Sequence, residues 1–281
     1  MTQPVDLARA LPLAPAHPAL PAQPGHGSCT LVGAGPGNPD LLTIAAVKAI
    51  RQATVLLVDD LVDDAVLDWA APAARVVHVG KRGGCQSTPQ AFILRLMLQE
   101  VQQGERVVRL KGGDPFIFGR GGEEVQYLRE HGIEPSIVNG ITSGLAALTS
   151  LGAPLTHRDH AHGVVFVTGH AKPGGAGPDW VQLAHTAHSA RLTLVIYMGV
   201  SSAHTIASGL LAGLPASTPV AVVQHASLPQ QRHAITTLAE LCATMAREQL
   251  ASPSVMVVGD VVHCVSLAAH SDQSHRASQV A

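Results

Sequence analysis

The chain has 281 residues, 46% hydrophobic and only 14% charged, which is enough apolar material for one large core or two modest ones and excludes disorder throughout. A formal charge of −2, with 18 Lys plus Arg, gives no global positive field, so neither nucleic acid nor a membrane is expected as a partner. Aromatic residues make up 3% against 27 Gly and 19 Pro, so a core of Ala, Val, Leu and Ile between many turns is expected, favouring layered α/β over an aromatic-rich barrel.

Residues 1–27 carry Pro at 4, 12, 15, 18, 21 and 24 and lack the basic start and apolar run of a signal peptide, so they read as a disordered tail. Residues 29–35 read as a strand entering a glycine turn, 40–53 as a helix, and 54–60 and 74–80 as strands. Thr88 is placed to cap a helix with Pro89 at its first position; Phe92, Ile93, Leu96, Met97 and Val101 share one face, and Gly104 stops it. A strand at 106–113 follows, and a second series of strands lies at 163–170, 192–199, 219–224 and 253–262 with helical stretches between. Each strand is a short run of branched residues without clean alternation, as in a sheet covered by helices on both faces. Two α/β domains are expected, at 28–145 and 146–267, then a polar tail at 268–281. The apolar runs are too short to span a bilayer.

Cys29, Cys85, Cys242 and Cys264 show no CxxC spacing and read as reduced thiols of a cytoplasmic protein. Histidine is in surplus, 16 residues, with His157, His160, His162 and His170 crowded together. Their spacing matches neither HExxH nor a Cys/His finger, so no metal site is expected. The turn Gly33-Ala34-Gly35-Pro36-Gly37-Asn38-Pro39 lies between a strand and a helix, with the pair Asp59-Asp60 ending the next strand. As a nicotinamide fingerprint it is weak. Asn38 stands where the third glycine belongs, and Pro36 removes an N–H from the loop.

Further along come Gly80-Lys81-Arg82, the block VRLKGGDPFIFGRG at 108–121, Gly140-Ile141-Thr142-Ser143, Pro154-Leu155-Thr156-His157-Arg158-Asp159, Tyr197-Met198-Gly199 and the segment 253–262. In that order, from about Cys29 to Val262, they resemble the S-adenosylmethionine-dependent tetrapyrrole methylases, and most of all the branch that acts on uroporphyrinogen III. The resemblance implies a two-domain tetrapyrrole methylase-like fold with the active site in the interdomain cleft, a homodimer, S-adenosylmethionine as cosubstrate and no metal. It further implies methylation of uroporphyrinogen III at C2 and C7 to precorrin-2, which leads to sirohaem, cobalamin or haem d1.

Matched to the family's motifs, Asp59 is the proton acceptor and Lys81 the proton donor, with Val58 where the motif has Tyr and Asp60 where close relatives frequently have Arg. Uroporphyrinogen III carries eight carboxylates, so scarce cations inside glycine-rich motifs are informative. Arg120, between Gly119 and Gly121, is expected to meet a substrate carboxylate and serve catalysis, with Glu123 orienting it. Lys111, His157 and Arg158 are further substrate-side candidates. The cofactor candidates are Pro36, Gly112, Gly113, Asp114, Ile117, Thr142, Ser143, Met198, Ala226 and Ser254. Gly112 and Gly113 permit close backbone approach, Asp114 can accept from the ribose or amino group, and Met198 offers an apolar wall. Two enzyme alternatives are a methylase acting on a later precorrin and an NAD(P)-dependent tetrapyrrole oxidoreductase or chelatase. A non-enzymatic tetrapyrrole carrier would need the arginines but not the cofactor residues.

Overall fold

The computed structural model describes residues 27–80, 89–170, 175 and 177–265. Lys81, Arg82, Cys85, Thr88 and both expected tails, apart from Gly27, lie outside the described residues. In chain order the first part runs β1 (Ser28–Gly33), α1 (Ile44–Gln52), β2 (Val55–Val58), β3 (Arg75–His78), α2 (Gln90–Gln102), β4 (Arg106–Lys111), α3 (Gly121–Glu130) and β5 (Ser136–Val138). The second runs α4 (Ser143–Thr149), β6 (Gly163–Thr168), α5 (Trp180–Ala190), β7 (Leu192–Tyr197), α6 (Ala203–Leu210), β8 (Pro219–Gln224), β9 (Arg232–Thr237), α7 (Leu241–Arg247) and β10 (Ser254–Val258).

The ten described strands form two five-stranded sheets, ordered β3-β2-β4-β1-β5 and β6-β7-β10-β8-β9. The first is wholly parallel, so all its strands deliver their carboxyl ends to one edge. Helices cover both faces: α2 and α3 pack on Cys29, Leu31, Leu57 and Val107, and α1 packs on Val32, Leu56, Val108 and Leu110. That two-sided cover explains the apolar runs of β1 and β2, since neither face of these inner strands meets water.

The second sheet is mixed. β6, β7 and β8 run one way, and β10 and β9 run back between or beside them. Helices α5, α6 and α7 fill one face around Leu194, Ile196, Val222 and Met256, and α4 fills the other against Val195, Tyr197, Val223 and Val257. The expected division after residue 145 therefore falls inside α4, a helix that packs on the second sheet.

Strands β5 and β9 were not among those read from the pattern. Both are edge strands with every residue at least partly exposed; β5 is only three residues long and β9 reads RHAITT, so neither shows the apolar run that the edge strand β6 keeps. In α2 the expected face is buried at Ile93, Met97 and Val101, but Phe92 is 48% exposed and Glu100 is buried instead. Gly104, at φ +88°, stands just past the end of that helix as expected.

Candidate active site

The edge of the first sheet where its strands end is built from glycine packed on glycine. A Cβ on Gly140 would lie 2.1 Å from the Gly113 carbonyl oxygen, and one on Gly33 would lie 2.4 Å from the Gly140 nitrogen. Gly35 and Gly113 exchange N–H···O bonds of 3.2 and 2.7 Å. The loops after β1, β4 and β5 are thus laced backbone to backbone. The glycines expected to admit a ligand serve first to let three loops meet. Gly112 packs its Cα against Leu61, whereas at Gly113, φ +68°, a Cβ would find only ordinary contacts with Thr142 and Ser143.

Asp114 is buried and organises the same loops. Its Oδ1 accepts from Phe116 N (2.8 Å), and its Oδ2 accepts from Asn139 Nδ2 and Gly140 N, both at 3.1 Å. Its carboxylate is therefore occupied by backbone and Asn139, beyond the ligand contact read from the sequence.

The second sheet brings its own edge to this place. Tyr197, Gln224 and Ser254 meet there by register, followed by Met198 and Ala226. Ser227 Oγ accepts from Asn38 N at 3.2 Å, and Leu228 lies where a Cβ on Gly37 would fall, so the β8–β9 loop seats on the glycine turn beside Pro36. Tyr197 Oη is 2.7 Å from Thr142 Oγ1 and accepts from Gly144 N at 2.8 Å. Its ring also meets Phe118, 4.9 Å between centroids, while Ile117 packs against the core on that face. Burial raises the Tyr197 phenol pKa, against the opposing effect of the Thr142 hydrogen bond. Ser254 is buried, its hydroxyl bonded to the Ala251 carbonyl.

Backbone strain gathers here too. Of the seven described non-glycine residues with left-handed φ, Phe118, Arg120, Met198, His225 and Ser227 stand in these loops. Each costs roughly 1 kcal/mol or more, and such residues concentrate at functional sites. Met198 is 47% exposed although it directly follows a buried strand, leaving an apolar wall open.

Asp59 directly follows β2, with a half-open side chain beside a hollow of about 410 Å³ shared with Asp60, Asp63, Asp64, His78 and Gly80. Its Oδ2 lies 3.3 Å from Arg109 Nη2 and 4.0 Å from Lys111 Nζ. Lys111 corrects an expectation. It is 2% exposed and bonds Glu124 Oε1 at 3.1 Å, because alternate β4 side chains point under α2 and α3 and not into the open. Burial and the neighbouring Arg109 lower its pKa, against the pull of Glu124 and Asp59.

Arg120 is exposed at the start of α3 and makes a two-pronged pair with Glu123, 3.0 and 2.6 Å, which raises its pKa. The contact is an exposed i,i+3 ion pair within the first turn of the helix.

His157 and Arg158 are not brought to this edge. Their turn closes at the starts of β6 and β7, where His162 N bonds the Arg191 carbonyl and Thr193 Oγ1 bonds the Leu155 carbonyl. Five strand steps, about 16 Å, separate that end from Met198. His157 Nδ1 accepts from Asp159 N at 3.2 Å, a turn-stabilising role. Among the described residues no group of three His, Cys, Asp or Glu is placed to hold a metal.

Arg109, Tyr197 and Ser227 fall within or beside the motifs, but their contacts with Glu124, Thr142 and Asn38 carry no signal in the sequence, and Glu124 as the partner of both Arg109 and Lys111 was missed.

Two α/β halves that meet through glycine loops at the carboxyl ends of a parallel sheet define a tetrapyrrole methylase fold. Residues 28–242 match the tetrapyrrole (corrin/porphyrin) methylases, and the chain belongs to that family. It is 50% identical over 236 residues to the uroporphyrinogen-III C-methyltransferase of Pseudomonas aeruginosa, covering 84% of this chain and 94% of that protein. The siroheme synthase of Azotobacter vinelandii is 47% identical over 237 residues, 84% of this chain but 50% of that protein, so the chain spans about half of it. The crystal structure of uroporphyrin-III C-methyl transferase from Thermus thermophilus complexed with S-adenyl homocysteine superposes with a TM-score of 0.71 at 41% identity, covering 84% of this chain and 93% of that one. Family, fold and relatives agree on a methyltransferase.

Proposed function

We propose that this chain methylates uroporphyrinogen III at C2 and C7, with S-adenosylmethionine as donor, to give precorrin-2. One observation carries the site assignment. Loops from both sheets, tied by Asn38 to Ser227 and by Thr142 to Tyr197, meet in strained backbone beside an open apolar wall at Met198.

The residues present fit the cosubstrate. Gly113 leaves the space beside Thr142 and Ser143 that a side chain would fill, and Pro36, Gly112, Ile117, Ala226 and Ser254 border the same loops. When bound, S-adenosylmethionine supplies an electrophilic methyl group on sulfur. Thr142, Ser143 and Met198 would hold it, and Asp114 keeps the loops in register. The chain's contribution is to align donor and acceptor.

Arg120 receives the substrate. A carboxylate of uroporphyrinogen III can replace Glu123 in the same two-pronged geometry, and Glu123 holds the guanidinium ready for it. Asp59, half open at the carboxyl end of β2, takes a proton from the methylated macrocycle, and Lys81 acts as proton donor. We place the enzyme in the cytoplasm as a homodimer needing no metal, its halves dividing near 140–160. No described helix is long and apolar enough to cross a membrane.

Mass spectrometry of uroporphyrinogen III incubated with the protein and S-adenosylmethionine should find two added methyl groups. An unmodified tetrapyrrole, or calorimetry detecting only NAD(P)H binding, would sink the reading.

A further inference from the structure

The central strand of the first sheet carries two cations on one face, Arg109 and Lys111, 1% and 2% exposed. Each is held from two directions. Glu124 of α3, wholly buried, accepts at Oε1 from Arg109 Nε (3.1 Å), Lys111 Nζ (3.1 Å) and Gln90 Nε2 (3.2 Å). Its Oε2 has no hydrogen-bond partner among the described residues. On the other side Asp59 Oδ2 faces the same two cations, while Arg109 Nη1 is fixed by the carbonyls of Leu57 and Leu110. Asp59 is the one member of the four that reaches the surface, its side chain 35% exposed.

Buried networks of this kind add little stability over apolar residues of similar size, so folding alone gives no reason for this one. Its geometry gives another. Without Glu124 the two cations would share a single carboxylate, that of Asp59, and would draw it down into the sheet. With Glu124 behind them, both are partly satisfied from below.

We propose that Glu124 is a positioning residue for Asp59, engaging Arg109 and Lys111 from behind so that the Asp59 carboxylate stands at the cleft surface. This rests on the reading of Asp59 as proton acceptor. Glu123 and Glu124, adjacent in the first turn of α3, face opposite ways. One clamps Arg120 outside, and the other clamps the cation pair inside, so a single helical turn sets both functional side chains.

The test uses the full chain with uroporphyrinogen III and S-adenosylmethionine. Glu124→Gln should lower kcat by on the order of 10-fold or more, as a displaced catalytic group does, while S-adenosylhomocysteine affinity stays nearly unchanged. Glu124→Asp should recover part of the loss. The charge-free triple variant Arg109→Met, Lys111→Met, Glu124→Met should keep the wild-type Tm yet remain slow. A Glu124→Gln kcat within about twofold of wild type, or an equal loss of cofactor affinity, overturns the proposal. A triple variant restoring kcat does so as well, and if the triple does not fold, the Glu124→Gln and Glu124→Asp rates decide alone. Asp59→Asn is the separate control, since wild-type turnover there removes the underlying reading of Asp59 whatever the Glu124 variants do.

Discussion

Replacing Tyr197 by Phe removes one oxygen and strands two groups. Gly144 is the second residue of α4, and its N–H is among the orphan donors at the start of any helix. Thr142, the residue before the helix, makes no capping bond; its hydroxyl turns instead to Tyr197, 55 positions away. Tyr197 is therefore the cap, supplied by the other end of the second sheet's strand β7. It is 8% exposed, so water cannot readily take its place. A buried donor left without its acceptor costs about 1–3 kcal/mol. The Thr142 hydroxyl can rotate, so a total near 2 kcal/mol is expected, or about 4–8 °C in Tm for a chain this size. Because Thr142 and Ser143 are proposed to hold the cosubstrate, S-adenosylhomocysteine should also bind roughly 10-fold more weakly, near 1.4 kcal/mol. Differential scanning calorimetry and titration calorimetry of Tyr197→Phe read both. A Tm within about 1 °C of wild type with unchanged affinity would refute the capping argument.

Arg120→Ala should abolish turnover while leaving S-adenosylhomocysteine affinity nearly intact, since its contacts are with Glu123 at the surface; steady-state rates beside a binding isotherm separate the two. Gly140→Ala, whose Cβ meets the Gly113 carbonyl at 2.1 Å, should lower stability by more than about 2 kcal/mol, whereas Gly122→Ala, helical with open space around it, should raise it by about 0.4–1 kcal/mol. Urea titration of the pair reads both signs. Cys29 is buried, and its thiol is pushed up from 9.0 to about 12, chiefly by burial and then by Glu124. At pH 8 its thiolate fraction falls roughly a thousandfold, so Cys29 should resist iodoacetamide in the folded protein and react only on denaturation, as peptide mass mapping would show.

Much of the frame was legible because central strands of a doubly covered sheet are mostly apolar. β1, β2, β7, β8 and β10 announce themselves that way, and β4 does so through Val107, Val108 and Leu110 although it also carries Arg109 and Lys111. β5 and β9 do not: β5 is only three residues long and β9 reads RHAITT, whereas the edge strands β3 and β6 keep a core of branched residues. Among the site residues, Arg120 and Glu123 could be read locally because three positions in one helical turn place them together. Lys111 could not. Its motif looked exposed and cationic, and only the pleat of β4 and the arrival of α3 turn it inward. His157 and Arg158 were read from a motif, but the direction of β6 carries them to the far end.

The order and type of the elements, the glycine turns and the family's signature motifs were determined by the sequence, because helix and strand periods, turn chemistry and long motifs are properties of neighbouring residues. Which charge meets which was decided by the tertiary structure. Glu124 finds Lys111 across 13 positions, Asn38 finds Ser227 across 189, and Tyr197 caps a helix 53 positions earlier. Such contacts depend on sheet order and strand direction, and a linear chain carries no record of either in the residues that end up touching.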